Sequence, residues 1–146
     1  MMDKIKSIVR EFSGDAIINN PAVPNDKNEQ AIDTTANSLV DHIKAEAMSG
    51  NSNHLMDILK KNDDPALNPS VNRVSTGVAG DLVKKLGIDS GSATSIVNRI
   101  IPPIINKVRG KVNDPNDKEF DIQNLMSSFG KGGGLTDSVR NMFGSK

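Results

Sequence analysis

The residues of this chain best suited to acid–base chemistry or metal binding are its two histidines. His42 directly follows Asp41, and His54 is the only other imidazole in the sequence. Zinc sites in proteins use three or four side-chain ligands, and neither a third histidine nor a cysteine supplies one at a recognisable spacing. We therefore interpret both histidines as surface or boundary residues, and we expect no metal ion and no cofactor.

Other residue types that support chemistry occur without the pattern that the chemistry needs. The chain contains many serines, but no Gly-x-Ser-x-Gly turn follows a predicted strand, as the nucleophile of a serine hydrolase requires. In the run 130–134, Lys131 precedes Gly132, whereas a phosphate-binding loop places Ser or Thr after its lysine. Four residues with oxygen ligands fall in one predicted turn: Asp114, Asn116, Glu119 and Asp121. Pro115 and the lack of the loop glycine break the spacing that a calcium-binding loop needs. We predict a flexible hinge at 130–134 and turn or helix-cap roles for the acidic residues, and we assign no catalytic residue.

Length and composition limit the partners of the chain. The 146 residues carry 18 basic and 18 acidic side chains, so the zero net charge argues against a broad nucleic-acid surface. Cysteine, tryptophan and tyrosine are all absent, which excludes disulfides and disfavours stacking on bases or sugars. No window approaches the roughly 20 apolar residues of a membrane span. We predict a soluble, cytoplasmic protein with no nucleic-acid partner.

The longest amphipathic pattern surrounds the adjacent prolines Pro102 and Pro103. Its apolar residues recur at the i, i+3, i+4 spacing of a buried helix face: Ala93, Ile96, Val97, Ile100, Ile101, Ile104, Ile105, Val108 and Val112. Each interior proline costs a helix roughly 3 kcal/mol, but both fall on the polar face, where water can bond the carbonyls of Asn98 and Arg99. The pattern predicts a kinked central helix, or two helices in tandem.

Four further stretches show helical spacing and lie earlier in the sequence. Their apolar faces contain Ile5, Ile8, Val9 and Phe12, then Ile32, Ala36, Leu39, Val40, Ile43 and Ala47, then Leu55, Met56, Ile58 and Leu59, and finally Val71, Val74, Val78, Leu82, Val83 and Leu86. We predict an all-α fold, a compact multi-helix bundle forming one domain over residues 1–146. Its core should come from the stripes of the second, fourth and central helices.

Local residue patterns predict where these helices begin and end. Asp26 followed three residues later by Glu29 is a capping-box pattern for the second helix, and Gly50 is its predicted stop. Three further signals delimit the fourth and central helices: Asn68 before Pro69 as an N-cap, Gly87 as a C-terminal glycine, and Asp89 or Ser90 as the next cap.

The C-terminal region carries two more apolar patterns. Ile122, Leu125, Met126 and Phe129 fit one or two helical turns, and the glycine-rich hinge follows them. A final short helix is predicted beyond the hinge, and its apolar residues are candidates for docking in cis or in trans: Leu135, Val139, Met142 and Phe143.

One stretch resembles a known family. The stretch from roughly Val74 to Phe129 contains Gly87-Ile88-Asp89, then Ile100-Ile101-Pro102, then Ile104-Ile105-Asn106-Lys107 and an Asn-Asp-Pro turn at 113–115. In these features it is similar to the bacterial YidB-like domain. The resemblance implies an all-helical bacterial domain of unknown function, and it brings no catalytic residues. The second proline and the turn sequence depart from the family pattern.

Two functional hypotheses follow from the sequence. The first is a non-enzymatic interaction or structural module that self-associates or binds a protein partner's helix in a groove, because aliphatic stripes greatly outnumber chemically active groups. The alternative is small-ligand binding or catalysis in a polar pocket between helices, with His42, Asp41 or His54.

Overall fold

The computed structural model of the protein describes residues 2–60 and 64–114, and within these residues it contains helices and turns but no strand. Five α-helices form the bundle: α1 (Met2–Glu11), α2 (Asn28–Glu46), α3 (Ser52–Lys60), α4 (Pro69–Leu86) and α5 (Ser90–Val112). Single π-helical turns follow α1 at Gly14–Ile18 and α2 at Ala47–Asn51, and 3-10 turns occur at Asn25–Lys27 and Pro65–Leu67. The predicted all-α bundle is confirmed.

Short-range capping signals define both ends of α4 and the start of α5, as predicted. The Asn68 side chain accepts hydrogen bonds from the amides of Ser70 at 2.8 Å and Val71 at 3.1 Å. Gly87 ends α4 with φ 73°, a left-handed conformation that glycine adopts without steric cost. The Asp89 carboxylate then accepts the Ser92 amide at 2.9 Å and caps α5.

The start of α2 differs from the prediction. Asp26 lies inside a 3-10 turn, the N-cap residue is Lys27, and no side-chain hydrogen bond caps the helix, so the capping box is wrong. Glu29 instead bonds the Arg10 guanidinium of α1 through two contacts of 2.6 and 2.8 Å. A bidentate pair with another helix competes with the local cap, because an arginine fork matches both carboxylate oxygens.

Helices α2 and α4 pack antiparallel, and polar contacts along their length fix the register. At one end Lys27 reaches the Leu86 carbonyl, and at the other end Arg73 bonds Glu46. The C-terminal end of α2 therefore lies beside the N-terminal end of α4. A kink follows α2, where Gly50 has φ 94°, close to the predicted stop.

The core lies where the predicted stripes meet. Eight of the nine residues in the central stripe are buried on α5, and the ninth, Val112, is partly buried against the core. Ile32, Ala36, Leu39 and Val40 of α2 and Val71, Val74, Val78, Leu82 and Leu86 of α4 are buried as well. The hydrophobic effect over these aliphatic side chains, at about 1.5–3 kcal/mol for each large one, is the main stabilising contribution.

Helix α5 continues through both prolines as one helix, so the tandem alternative is wrong. Pro102 and Pro103 are partly exposed, whereas Ile100, Ile101 and Ile104 around them are buried. The proline rings remove the amide protons that would bond the carbonyls of Asn98 and Arg99, and both of these residues are exposed. Solvent can therefore satisfy both carbonyls, which makes the proline pair compatible with a helix whose opposite face is buried.

Several predictions lie outside the described residues. They concern the helical turns of residues 122–129, the hinge at 130–134, and the candidate interaction residues Leu135, Val139, Met142 and Phe143. Among the helices that are described, none combines the length and the apolar character needed to cross a bilayer.

Candidate functional site

His42 lies between α2 and α4, in contact with a residue that sequence reasoning did not connect to it. Its Nε2 is 3.1 Å from Asp81 Oδ2 on α4, and the Ser38 hydroxyl donates to the same oxygen at 2.5 Å. The neighbouring Asp41, another candidate for the polar pocket that the sequence left open, is exposed. Ser38 and His42 are one helical turn apart on α2, so both side chains reach α4 together.

Gly77 on α4 makes this arrangement possible. A β-carbon at that position would lie within 2.7 Å of three atoms of the His42 ring, Cε1, Nδ1 and Nε2. Carbon atoms in ordinary contact are about 3.5–4.0 Å apart, so only glycine accommodates the imidazole in this position. The glycine is therefore explained by the close approach of His42, one turn of α4 before Asp81.

The hydrogen bonds of this cluster do not suit nucleophilic catalysis. Hydrogen bonds from Ser38 and from His42 hold the pKa of the Asp81 carboxyl below its ordinary value of 3.8, against the opposing effect of burial. A carboxylate with a lowered pKa is a weak base and does not activate the Ser38 hydroxyl. The Ser38 residue is moreover only 4% exposed. The cluster joins α2 to α4.

A second polar contact joins the same two helices. Glu46 near the end of α2 is 9% exposed, and Arg73 bonds both of its carboxylate oxygens at 2.9 Å. The hydrogen bonds from Arg73 hold the pKa of Glu46 below its usual range. Burial alone would raise that pKa, so the guanidinium keeps this carboxylate charged inside the bundle.

The remaining candidates for chemistry are dispersed. His54 is exposed on α3, and its backbone carbonyl accepts a hydrogen bond from Asn68. No group of three potential metal ligands occurs in residues 2–60 and 64–114. Of the basic residues at the end of α5, Lys107 pairs with Glu11 at 3.3 Å and Arg109 is buried.

One concave feature of the described residues is a narrow, wholly apolar cleft. We name it the aliphatic cleft, and the residues that line it are Ile5 of α1, Leu39, Val40 and Ile43 of α2, Leu55, Ile58 and Leu59 of α3, and Ile104, Ile105 and Val108 of α5. These lining side chains carry neither a polar atom nor a charge. The cavity volume is about 50 Å³, well below the roughly 300–1,000 Å³ of small-molecule sites.

The cleft lies where the C-terminal halves of α2, α3 and α5 meet. The Arg109 Nε donates to the Ile58 carbonyl at 2.8 Å, and the Asn113 side chain donates to the Leu59 carbonyl at 3.1 Å. These bonds hold the end of α5 against the end of α3. Ile43, which is only partly buried, lies at the edge of the cleft. Sequence periodicity predicted most of these residues as core, but it contains no signal for a gap among them.

A second concavity, the α4–α5 groove, has different chemistry. It has a volume of about 470 Å³ and an open shape, and it is lined by Asn72, Ser75, Thr76, Ala79, Gly80 and Val83 of α4 and by Ser90, Thr94, Val97 and Asn98 of α5. No ionisable side chain occurs among these described residues. Neither His42 nor His54 lines either concavity.

Comparison with protein-family models, with curated proteins and with solved structures finds no match for the chain. The resemblance to the YidB-like domain therefore stays a prediction from the sequence.

Proposed function

We propose that the protein is a non-enzymatic interaction module that binds an amphipathic helix of a protein partner in the aliphatic cleft. The observation that carries the proposal is the cleft itself, an opening among aliphatic side chains of four helices. Nine of the ten lining residues are at most 9% exposed, so a partner helix would reach this gap at its edge, beside the partly buried Ile43, with apolar residues at i, i+3 and i+4 as the anchors.

The volume of the cleft supports a side chain as its occupant rather than a metabolite. About 50 Å³ accommodates the tip of one leucine, isoleucine or methionine side chain. Burying such a side chain contributes about 1.5–3 kcal/mol, so further contacts around the rim are needed for stable binding. An amphipathic helix provides both the anchor and the flanking contacts.

The polar groups of the described residues support the same proposal. The Ser38–His42–Asp81 cluster and the Glu46–Arg73 pair both connect α2 to α4. Side chains that could have served catalysis thus stabilise the packing of the bundle. The proposal extends to a bacterial, cytoplasmic protein of the YidB-like kind, on the resemblance over Val74 to Phe129.

The test compares two matched charge substitutions in affinity capture from the native cells. Ile43→Lys places a cation at the edge of the cleft, and Ile18→Lys makes the same change at a residue that is 38% exposed and does not line the cleft. We expect wild type and Ile18→Lys to recover the same partner, and Ile43→Lys to lose it. A helical peptide of that partner should then bind the purified wild-type chain but not Ile43→Lys.

Other results would overturn the proposal. Equal recovery by both variants would mean that binding occurs elsewhere. Recovery of further copies of the same chain, with dimers in sedimentation analysis, would replace the partner by self-association. The same capture with residues 135–146 deleted tests the predicted role of Leu135, Val139, Met142 and Phe143.

A second candidate function is binding of a small neutral molecule in the α4–α5 groove. The observation that favours it is a volume of about 470 Å³, within the usual range of ligand pockets, with hydroxyl and amide groups along its sides. Gly80 lies in this groove with nothing within 4 Å of a β-carbon, so the side chain of Gly80→Leu would project into the groove and obstruct part of it. A ligand from a thermal-shift screen should stabilise wild type but not Gly80→Leu.

A further inference from the structure

We propose that the α4–α5 groove binds a neutral molecule with several hydroxyl groups, of the sugar or cyclitol class. This inference rests on the second candidate function and names the class of ligand that the groove takes. Three observations carry it: an apolar floor between two polar rims, polar side chains without hydrogen-bond partners in the described residues, and a backbone carbonyl that Pro102 leaves without its helical donor.

The groove has its apolar residues at the bottom and its polar residues along the sides. Ala79 and Val97 are at most 9% exposed and Val83 is partly buried against the core, so these three side chains form the floor. The rims are exposed residues one helical turn apart on each helix: Asn72, Thr76 and Gly80 on α4, and Ser90, Thr94 and Asn98 on α5. A ligand in the groove therefore meets aliphatic carbon below it and polar groups on both sides.

Most polar side chains of the groove have their hydrogen-bonding capacity available. Thr76 donates to the Asn72 carbonyl of its own helix at 3.0 Å. The other five polar side chains that line the groove make no hydrogen bond within residues 2–60 and 64–114: those of Asn72, Ser75, Ser90, Thr94 and Asn98. Hydroxyl and carboxamide groups both donate and accept, so they match a ligand whose hydroxyl groups also do both.

The proline pair adds a backbone acceptor at one end of the groove. Three residues connect α4 to α5, so the two helices run antiparallel, and Asn72 and Asn98 both lie away from that connection. Pro102 has no amide proton to donate to the Asn98 carbonyl. Asn98 therefore offers both a carboxamide and a carbonyl without its usual helical donor, and ligand hydroxyls can replace the solvent at both.

The charges around the groove favour a neutral occupant. No ionisable side chain lines it in the described part of the chain. The charged residues of α4 nearest to the groove, Arg73 and Asp81, bond Glu46 and His42 of α2 and so lie on the other side of the helix. An ion that entered the groove would lose hydration without meeting an opposite charge.

The shape of the groove suits a ring with polar edges. Its volume of about 470 Å³ lies within the usual range of ligand pockets, and Gly80 keeps it open because it has no side chain. A sugar or cyclitol ring carries hydroxyl groups at its edge and carbon–hydrogen surface on its faces. One face can lie on Val83 and Val97 while the edge reaches the rims, so an aromatic platform is not needed.

The test titrates small probes into the isotope-labelled full-length chain and follows its backbone amide signals by NMR. The polyol probes are myo-inositol, glucose and trehalose. Cyclohexanol, a six-membered carbon ring with a single hydroxyl, tests the floor alone, and the phosphate ester of glucose tests the effect of charge. We expect a polyol to shift the signals of Thr76, Gly80 and Asn98 saturably, with a dissociation constant in the millimolar range. Cyclohexanol and the phosphate ester should bind at least about threefold more weakly than myo-inositol and glucose.

Substitutions on α5 identify the site. Asn98→Leu and Thr94→Val remove polar groups of the rim at similar volume, and each should weaken polyol binding by about three- to tenfold, the effect of one neutral hydrogen bond. Asn106→Leu is the matched control, because Asn106 is exposed on the same helix but does not line the groove. It should leave the dissociation constant unchanged. All three positions are exposed or on the surface of the bundle, and circular dichroism checks that the helices are retained.

Each other outcome overturns a particular statement. Cyclohexanol binding as tightly as myo-inositol would show that the apolar floor alone holds the ligand, and the class would be wrong. The class is also wrong if no polyol shifts the groove signals, whereas the small-molecule function of the groove stands if a ligand from the thermal-shift screen is lost in Gly80→Leu. If polyols bind Asn98→Leu and Asn106→Leu equally well, they bind elsewhere, and the groove is not their site.

Discussion

The contact between His42 and Gly77 predicts an unusual response to a substitution that normally stabilises helices. Replacing glycine by alanine in a helix interior stabilises a protein by about 0.5–1 kcal/mol, because alanine loses less backbone entropy on folding. At position 77 the new methyl group would instead lie within 2.7 Å of three His42 ring atoms. The imidazole must then move away, and its hydrogen bond to Asp81 is lost.

The magnitude follows from the opposing contributions. Losing the His42 hydrogen bond costs about 0.5–1.5 kcal/mol, and forcing a methyl group into an occupied space costs typically about 1–3 kcal/mol. The His42 side chain is 34% exposed, so the ring can partly relax towards solvent, and the overpacking cost falls at the lower end of its range. We therefore expect Gly77→Ala to lower the free energy of unfolding by about 1 kcal/mol. Helix propensity alone predicts that the substitution raises it.

Two further variants complete the test. Gly80→Ala lies three residues along the same helix, where an added β-carbon meets nothing within 4 Å, so it should stabilise by about 0.5–1 kcal/mol. In a His42→Ala background, Gly77→Ala should also become stabilising. The coupling free energy between positions 42 and 77 would then be about 2 kcal/mol.

The assay is urea unfolding followed by far-UV circular dichroism, since the chain has neither tryptophan nor tyrosine as a fluorescent probe. If Gly77→Ala and Gly80→Ala stabilise the wild-type chain equally, the imidazole does not lie over Gly77 and the reasoning fails.

Two other predictions concern buried polar groups. The Thr35 hydroxyl oxygen is buried without a hydrogen-bond partner in the described residues. Thr35→Val removes that hydroxyl at similar volume and should therefore stabilise the protein by about 1 kcal/mol. A loss of stability in urea unfolding would show that the hydroxyl is bonded. Because the pKa of Asp81 is lowered on folding, its contribution to stability is complete above the ordinary value of 3.8 and is lost as the pH falls through the lower folded value. Asp81→Asn should therefore lose less stability than wild type between about pH 5 and pH 2, whereas parallel pH profiles would contradict the lowered pKa.

The sequence predicts the features of this fold that depend on neighbouring residues. The Asn68 and Asp89 caps and the left-handed Gly87 lie within a few residues of the helix ends that they define, so local patterns identify them. The aliphatic stripes are likewise periodic within each helix, and their residues form the observed core. These features require no knowledge of how the helices pack.

The features that escape prediction join distant parts of the chain. His42 and Asp81 are 39 positions apart, and nothing in the sequence spacing connects them. The Asp26–Glu29 capping box failed for a related reason, because Arg10 binds Glu29 across 19 positions. The aliphatic cleft is a gap left by the packing of four helices, and periodicity identifies the core residues without giving the space between them.

The proline pair in α5 also has a consequence for how the protein opens. A rigid helix resists separation of its two halves because a ladder of amide–carbonyl bonds crosses every turn. Between Asn98 and Pro103 two of those bonds do not exist. The half of α5 from Ile104 to Val112 lines the cleft, and separating it from the preceding half should need less free energy than in an uninterrupted helix. Native-state hydrogen exchange should accordingly divide α5 into two units of local unfolding, with faster exchange after the prolines. Because Arg109 and Asn113 bond the end of α3, this half of α5 should open together with that end of α3, before the contact between α2 and α4 does.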